Sequence, residues 1–392
     1  MKNIWSENRK INIAIDILLF LFAINFLHYG QLFLPIICLI LFIDRKCKFK
    51  VNIVATFIIL CLFGITFFAF SFKLGIFSTI GFFLPMIYYI GSNMNNPNEE
   101  NIKYVIYILA FGMASHVVLN FACDLIVRGI DCFNRNSHLD FWVWDEFPTT
   151  QTAILFLFMI GLIYYIFVYE ENKKIRTIGI ILFVILMIYE IALGRRTTAL
   201  LMLISNVGAF LIDYFVLKNK NKKSRNLLLI GIALILLLGL IGLMTVFNVF
   251  GIQERILKIE VVKKFMLFGF ESGRVNIFKQ AMSLAPQHLW GGKEISDIIE
   301  WEIHDLWFDA FDYAGIVPCI ILFIHSIMSM FVYVKFYMNN KIDKKFRFLV
   351  FVLFIGIFIQ LLLEPIITGS SIFFLCSMLV FTMIERLQID RI

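Results

Sequence analysis

Long apolar runs separated by short polar stretches follow one another along most of the chain. A helix needs about 20 mainly apolar residues to cross the hydrocarbon core of a bilayer, and most of the runs approach that length. The pattern therefore predicts about twelve membrane-spanning helices, the second and last of them short. They lie at approximately 11–27, 31–43, 51–70, 74–91, 104–127, 149–169, 177–193, 197–217, 227–250, 314–334, 348–363 and 371–384.

Composition agrees with this pattern. Hydrophobic residues make up 60% of the 392, charged residues only 16%, and the mean hydropathy is +0.87. Soluble proteins have about 45–50% apolar and 25% charged residues, so the fold class predicted is an all-α polytopic membrane protein. No small-residue cleavage site follows the charged N-terminus, and the first helix is expected to be retained. The net charge of +7 does not indicate a nucleic-acid partner, because in a membrane protein the placement of the cations matters more than their sum.

Lysine and arginine are distributed unevenly over the loops. If the N-terminus is inside, the short loops on that side carry 23 of the 35 Lys and Arg residues and the short loops outside carry 5. The remaining 7 lie in one long segment, which the positive-inside rule does not count. The chain is thus predicted to have both termini in the cytoplasm.

The long outer segment separates two membrane regions, which gives predicted divisions at 1–250, 251–313 and 314–392. Ser272 is a candidate N-cap within it, and Pro286 a candidate helix stop. Its periodicity predicts an amphipathic helix and two further helices, the last leading into the tenth span. They cover 253–266, 271–286 and 296–315.

The stretch "GRRTTALL" places Arg195 and Arg196 in a tight outer turn between two spans. One arginine at a helix centre costs roughly 2.5–3.5 kcal/mol, so the pair belongs at a boundary or in a polar cavity. One interpretation is that both side chains snorkel to headgroups or pair with Glu190. The other is an anion site, because the planar guanidinium matches phosphate oxygens and keeps its charge.

Several motifs in the predicted outer segments resemble those of the Wzy-type polysaccharide polymerases and O-antigen ligases. The family pattern is an arginine, a proline–glycine turn, a His-Asn pair and a glycine that opens the next span. Asp305 stands where the family has asparagine, which leaves the role of that position open. "GRRTTALL" and the 131–150 loop are also similar to family segments. The residues that match are Arg274, Pro286, Gly291 or Gly292, His304 and "YAGI" at 313–316.

This resemblance implies a bacterial membrane glycosyltransferase with a GT-C-like fold in the cytoplasmic membrane. Its expected activity joins undecaprenyl-diphosphate-linked oligosaccharide repeat units into a capsule, exopolysaccharide or O-antigen on the outer face. The implied partners are the lipid-linked donor and acceptor and the membrane lipids. A chain-length regulator and a flippase of the same pathway are further partners that it suggests.

Such a reaction develops charge on a diphosphate leaving group. The outer segments contain no paired-aspartate motif and no His/Cys cluster, so arginines rather than a metal or cofactor are expected to stabilise it. Histidine is suited to accept the proton of the attacking hydroxyl near neutral pH, so His304 is the predicted base. Its alternative role is that of an interfacial histidine. Asp305 and Asp309 are alternative bases or simply carboxylates on a solvated helix face, and the diphosphate-binding candidates are Arg195, Arg196 and Arg274.

Four further residues are candidates for sugar binding. Tryptophan in outer segments anchors at the membrane interface by default, and sugar stacking is the more specific alternative. Glu364 is either a sugar ligand or an ordinary helix-end carboxylate. The candidates are Glu364, Trp301, Trp307 and Trp142.

Structural roles are predicted elsewhere. Asp124 and Arg128, four residues apart on one helix, are expected to form a structural ion pair. Cys123 and Cys132 lie near one outer loop and form either a disulfide or two small apolar fillers.

Two other functions share parts of this pattern. A ligase that transfers finished polymer to an acceptor lipid would have the same fold and motifs. A lipid-linked glycan flippase or other transporter would show related halves and buried charges near the midplane. Here the loop lengths are lopsided and the cations gather at the outer rim, which favours the polymerase.

Overall fold

A computed structural model describes residues 3–45, 54–71, 79–129, 132, 137–193, 196–216, 274–300, 305–364 and 366–390. Within these ranges the regular secondary structure is helical apart from one small antiparallel sheet. The helices are α1 (Arg9–Ala23), α2 (Phe33–Arg45), α3 (Val54–Ser71), α4 (Thr79–Ser92), α5 (Glu99–Arg128), α6 (Thr150–Val168), α7 (Lys173–Ala192), α8 (Arg196–Leu211), α9 (Arg274–Leu284), α10 (Glu294–Ile299), α11 (Leu306–Ala314), α12 (Ile316–Met338), α13 (Lys344–Leu363), α14 (Ile366–Gly369) and α15 (Ser371–Asp390).

Eleven of the twelve predicted spans overlap a described helix, with ends that differ by up to six residues. The ninth, 227–250, lies outside the described residues. Five of the described helices, α5, α6, α12, α13 and α15, are long and apolar enough to cross a membrane. Shorter apolar helices include α3 and α4. The protein is therefore a mainly helical membrane protein in its described residues, whereas the count of twelve and the GT-C-like arrangement remain predictions.

Two compact units make up the chain. The first comprises Met1–His116, Gly273–Phe351 and Ile357–Ile392, and the second comprises Val117–Ser272 and Val352–Gly356.

Helix α15 lies at the centre of the first unit and is buried on nearly all sides, with α4 packed along it. A Cβ atom on Gly91 of α4 would lie 1.9 Å from Oγ1 of Thr382, so glycine lets the two helices meet here. Gly64 of α3 similarly approaches the backbone of Gly81, where a Cβ would lie 2.5 Å from the carbonyl oxygen. Small residues at such crossings are expected in lipid, because dispersion contacts hold helices together there.

Helix α6 has the corresponding position in the second unit, where it is buried between α7 and α8. The π-helical turn Ile212–Val216, which follows α8, contributes a buried carboxylate, Asp213. This carboxylate accepts hydrogen bonds from the hydroxyls of Tyr164, at 2.8 Å, and Tyr169. A buried acid is thus joined to two donors on and beside α6.

A hairpin of strands β1 (Ser137–Leu139) and β2 (Glu146–Pro148) is fastened to the end of α5. Arg128 Nη1 lies 3.2 Å from Asp124 Oδ1, which confirms the predicted ion pair. The same guanidinium donates to the Ser137 carbonyl at 3.0 Å and to Glu146 at 2.6 Å. Asp124 also accepts from the Leu139 N–H at 3.0 Å. The ion pair therefore holds both strands in place. Cys123 and Cys132 are buried and are not joined by a disulfide.

Candidate functional site

The 274–316 segment belongs to the first unit and contains helices α9, α10 and α11 before α12 begins. The prediction of one continuous helix over 296–315 is wrong. Helix α10 ends at Ile299 because Glu300 takes a left-handed conformation, with φ 55°. A new helix begins after Asp305, whose carboxylate accepts the Phe308 N–H at 2.7 Å and caps it.

A small hydrophobic core holds these helices together. Phe278 of α9 packs edge-on against Phe308 of α11, with ring centroids 5.9 Å apart. The helices of the 274–316 segment therefore pack against one another and do not lie as separate helices on a surface. The buried members are Ala281, Ile295, Phe308 and Phe311, with Ile277, Leu284, Ala285, Ile299, Ile316 and Cys319 packed around them.

Two glycines that are far apart in sequence meet at the centre of the segment. Gly291 and Gly315 have φ values of 76° and 90°, which favour glycine. A Cβ on Gly291 would lie 2.5 Å from the Gly315 nitrogen, and one on Gly315 would lie 2.7 Å from the Leu289 carbonyl oxygen. The Ile316 N–H donates to that same carbonyl at 2.9 Å. The turn around 291 is thereby fixed to the point where α12 begins.

Asp312 attaches helix α10 to helix α11. Its Oδ1 accepts the N–H groups of Ile295 at 3.2 Å and Ser296 at 3.3 Å, and its Oδ2 accepts the Ser296 hydroxyl. Burial raises the pKa of the Asp312 carboxyl above its usual range, and these donors oppose that shift. The side chain acts as an N-cap for α10 that comes from a different helix.

Asp305 and Asp309 have structural partners as well. Asp309 is not on a solvated helix face, as one interpretation of the sequence had it: its side chain is buried, and Oδ2 accepts the Ile367 N–H at 2.9 Å. Burial also raises the pKa of Asp305, against hydrogen bonds from the Phe308 and Trp307 N–H groups. Both carboxylates hold helix N-termini, so their first task is to organise the segment.

The turn 288–294 exposes a different set of groups. His288 Nδ1 lies 2.5 Å from Oε2 of Glu294, and the Glu294 side chain is 60% exposed. The Lys293 ammonium lies over the Tyr313 ring, 5.7 Å from its centroid. Trp290 is 68% exposed, and one face of its ring stacks on Phe70 of α3 at 6.1 Å. The turn thus carries a histidine–carboxylate pair and an exposed aromatic ring.

Three other described candidates are Glu364, Trp307 and Trp142. Glu364 is a buried carboxylate that ends α13. Trp307 is half-buried, and its Nε1–H donates to Ser326 Oγ at 3.0 Å, so its polar atom is already used within the protein. Trp142 lies in the hairpin turn of the second unit, edge-on to Phe141. Trp307 and Glu364 belong to the first unit, and Trp142 belongs to the second.

The remaining predicted residues, or their side chains, lie outside the described parts of the structure. Arg195, Trp301 and His304 lie outside the described residues, as do Ser272 and the amphipathic stretch 253–266. Arg196 and Arg274 are the first residues of α8 and α9, and their side chains are likewise outside the description. Glu190 accepts a hydrogen bond from the Thr198 hydroxyl at 3.3 Å. The diphosphate clamp and the His304 base therefore stay predictions.

An apolar groove lies among α2, α3 and α4 of the first unit, with a volume of about 430 Å³. That volume is in the range of small-molecule sites. Its walls offer hydrocarbon contact and few polar atoms, so the groove suits an apolar chain. It is lined by Pro35, Cys38, Leu39, Phe42, Phe57, Pro85, Met86 and Tyr89.

Sequence reasoning missed the groups that organise the turn. The hydrophobic periodicity of the sequence does not single out Asp312, His288 or Glu294, because each contacts a partner across a turn or on another helix. The one available sign is the pair of glycines at 291 and 292, flanked by His288 and Glu294. A comparison of the chain with protein-family models finds no match, and a comparison with curated proteins finds none either.

Proposed function

We propose that this membrane protein polymerises undecaprenyl-diphosphate-linked oligosaccharide repeat units by glycosyl transfer on the outer face of a bacterial cytoplasmic membrane. The acceptor hydroxyl attacks the anomeric carbon of the donor, the bond to the diphosphate breaks, and the lipid diphosphate leaves with the electron pair.

One observation carries the proposal. The proline–glycine turn and the "YAGI" stretch, which support the family resemblance, are more than 20 residues apart in the sequence. Gly291 and Gly315 nevertheless pack backbone against backbone, at distances that no side chain fits. Motif residues that meet in three dimensions are expected of one functional unit, and a chance likeness of short motifs gives no reason for the contact.

The proposed chemistry divides the work between cations and a base. Arg195, Arg196 and Arg274 stabilise the leaving diphosphate, because charge-assisted hydrogen bonds are worth about 1.5–3 kcal/mol each. Two of them that strengthen in the transition state supply roughly two to four decades of rate. On the resemblance, His304 accepts the proton of the attacking hydroxyl.

Lipid-linked glycans that accumulate after deletion of the gene test this function. Loss of a polymerase leaves single repeat units on the lipid at the outer face. Single units at the inner face would instead indicate a flippase, and long chains still attached to the lipid would indicate a ligase. Either of the last two results refutes the proposal.

Purified protein in lipid nanodiscs tests the arginines. With a defined lipid-linked repeat unit, Arg195→Lys and Arg196→Lys keep the charge but lose the planar fork. A diphosphate clamp predicts reduced turnover for lysine and a greater loss for alanine, mainly in the chemical step. If both arginines only snorkel to headgroups, the lysine variants keep full rates.

A further inference from the structure

His288 and Glu294 form a hydrogen-bonded pair across the turn 288–294, with 2.5 Å between Nδ1 and Oε2. Since the carboxylate is an acceptor, Nδ1 carries the proton in the neutral imidazole and Nε2 carries the lone pair. The His288 side chain is 19% exposed, so the ring is accessible at the surface of the segment. A carboxylate that fixes the tautomer in this way prepares histidine to act as a general base.

The turn that carries the pair is held rigidly. Lys293 and the two glycines before it all have positive φ values, and the Lys293 N–H donates to the Asp312 carbonyl at 2.8 Å. Glu294 begins helix α10, whose N-terminus Asp312 caps. Left-handed residues in a well-anchored turn are common at functional sites, where the surrounding structure maintains the strain.

Trp290 adds a surface suited to sugars. Its indole is 68% exposed, and Phe70 supports one face of the ring by stacking. The opposite face of a supported, exposed indole can contact the apolar C–H face of a pyranose, while polar groups beside it contact the hydroxyls. The sequence places this ring between His288 and Glu294.

We propose that the turn 288–294 is the acceptor-sugar subsite of the polymerase, with Trp290 as the stacking surface and His288, oriented by Glu294, as the base. This inference rests on the proposed function and assigns the base to His288 instead of His304. Nε2 of His288 takes the proton of the acceptor hydroxyl as its oxygen bonds to the anomeric carbon. The donor C–O bond to the diphosphate breaks, the diphosphate takes the electron pair, and the imidazolium later returns its proton to water.

Two measurements on the full-length protein in nanodiscs test the subsite. Lipid-linked repeat units extracted from the gene-deletion strain serve as substrate for polymerisation. The oligosaccharide released from them by mild acid serves as a probe for calorimetric binding. The variants are His288→Gln, Glu294→Gln and Trp290→Ala. Controls are Glu300→Gln, an exposed carboxylate just beyond α10, and Trp144→Ala, a tryptophan 58% exposed in the hairpin turn.

His288→Gln is expected to lower kcat by about 10²–10⁴ with little change in KM. Glu294→Gln should lower kcat by a smaller factor, because the Glu294 carboxylate orients the base and does not contact the sugar. Trp290→Ala should raise KM and weaken oligosaccharide binding by about tenfold. The two control variants should behave as the wild type.

The assignment of the base is overturned if His288→Gln keeps wild-type turnover. It is also overturned if His304→Ala loses most of its turnover while His288→Gln does not. Oligosaccharide binding unchanged in Trp290→Ala overturns the stacking surface. If the wild-type protein makes no polymer, the proposed function fails. The acceptor role then fails with it, and only the sugar-stacking role of Trp290 is judged by binding: it stands if Trp290→Ala weakens binding where Trp144→Ala does not, and it falls otherwise.

Discussion

Asp312→Ala should loosen the turn 288–294 without unfolding the membrane helices. The carboxylate accepts three hydrogen bonds, from the Ile295 N–H, the Ser296 N–H and the Ser296 hydroxyl. A hydrogen bond contributes about 0.5–1.5 kcal/mol net, and an N-cap about 0.5–2 kcal/mol. These contributions overlap, so the expected loss of local stability is about 3 kcal/mol, or about 100-fold in the local opening equilibrium.

Hydrogen exchange of the protein in nanodiscs measures this directly, since local opening controls the exchange of protected amides. The amides of Lys293, Ile295 and Ser296 should exchange about 100-fold faster in Asp312→Ala. Asp312→Asn keeps one acceptor oxygen and should have a smaller effect, while Glu300→Gln should have none. If peptides from this turn exchange at the same rate in Asp312→Ala and the wild type, α10 does not depend on the Asp312 cap.

Further predictions concern pH, helix packing and topology. Because burial raises the folded-state pKa of Asp312, its contribution to stability is complete below its unfolded pKa and is lost as pH rises through the folded pKa. The turn should therefore be more protected in mild acid than at neutral pH, after correction for intrinsic exchange, and Asp312→Asn should lessen that difference. Gly91→Ala should lower the thermal stability by about 1–3 kcal/mol, because its Cβ would overlap Thr382, and Thr382→Ala in the same chain should recover part of the loss; an unchanged midpoint would contradict this packing. In a variant without native cysteines, one placed in 218–226 should resist an impermeant thiol reagent in intact cells and one replacing Gly292 should react, and the reverse pattern would put the candidate site on the wrong side.

The sequence alone determined where the described apolar helices lie. Their signal is local, because the cost of burying polar groups in lipid acts on every residue of a span. The apolar runs in the described ranges consequently match helices. Helix α5 begins at Glu99, five residues before the predicted start of its span at 104. The ion pair of Asp124 and Arg128 was predictable for the same reason, since both lie on one face of one helix.

The candidate site depended on contacts between distant parts of the chain. No periodicity shows that Glu300 ends a helix, and an acidic helix face gives no sign that Asp309 is buried against Ile367. The Gly291–Gly315 contact and the cap from Asp312 to α10 join positions separated by many residues, so only the tertiary structure could decide them. The pairing of His288 with Glu294 likewise follows from a left-handed turn, because that turn brings together two side chains that no regular helix would face toward each other.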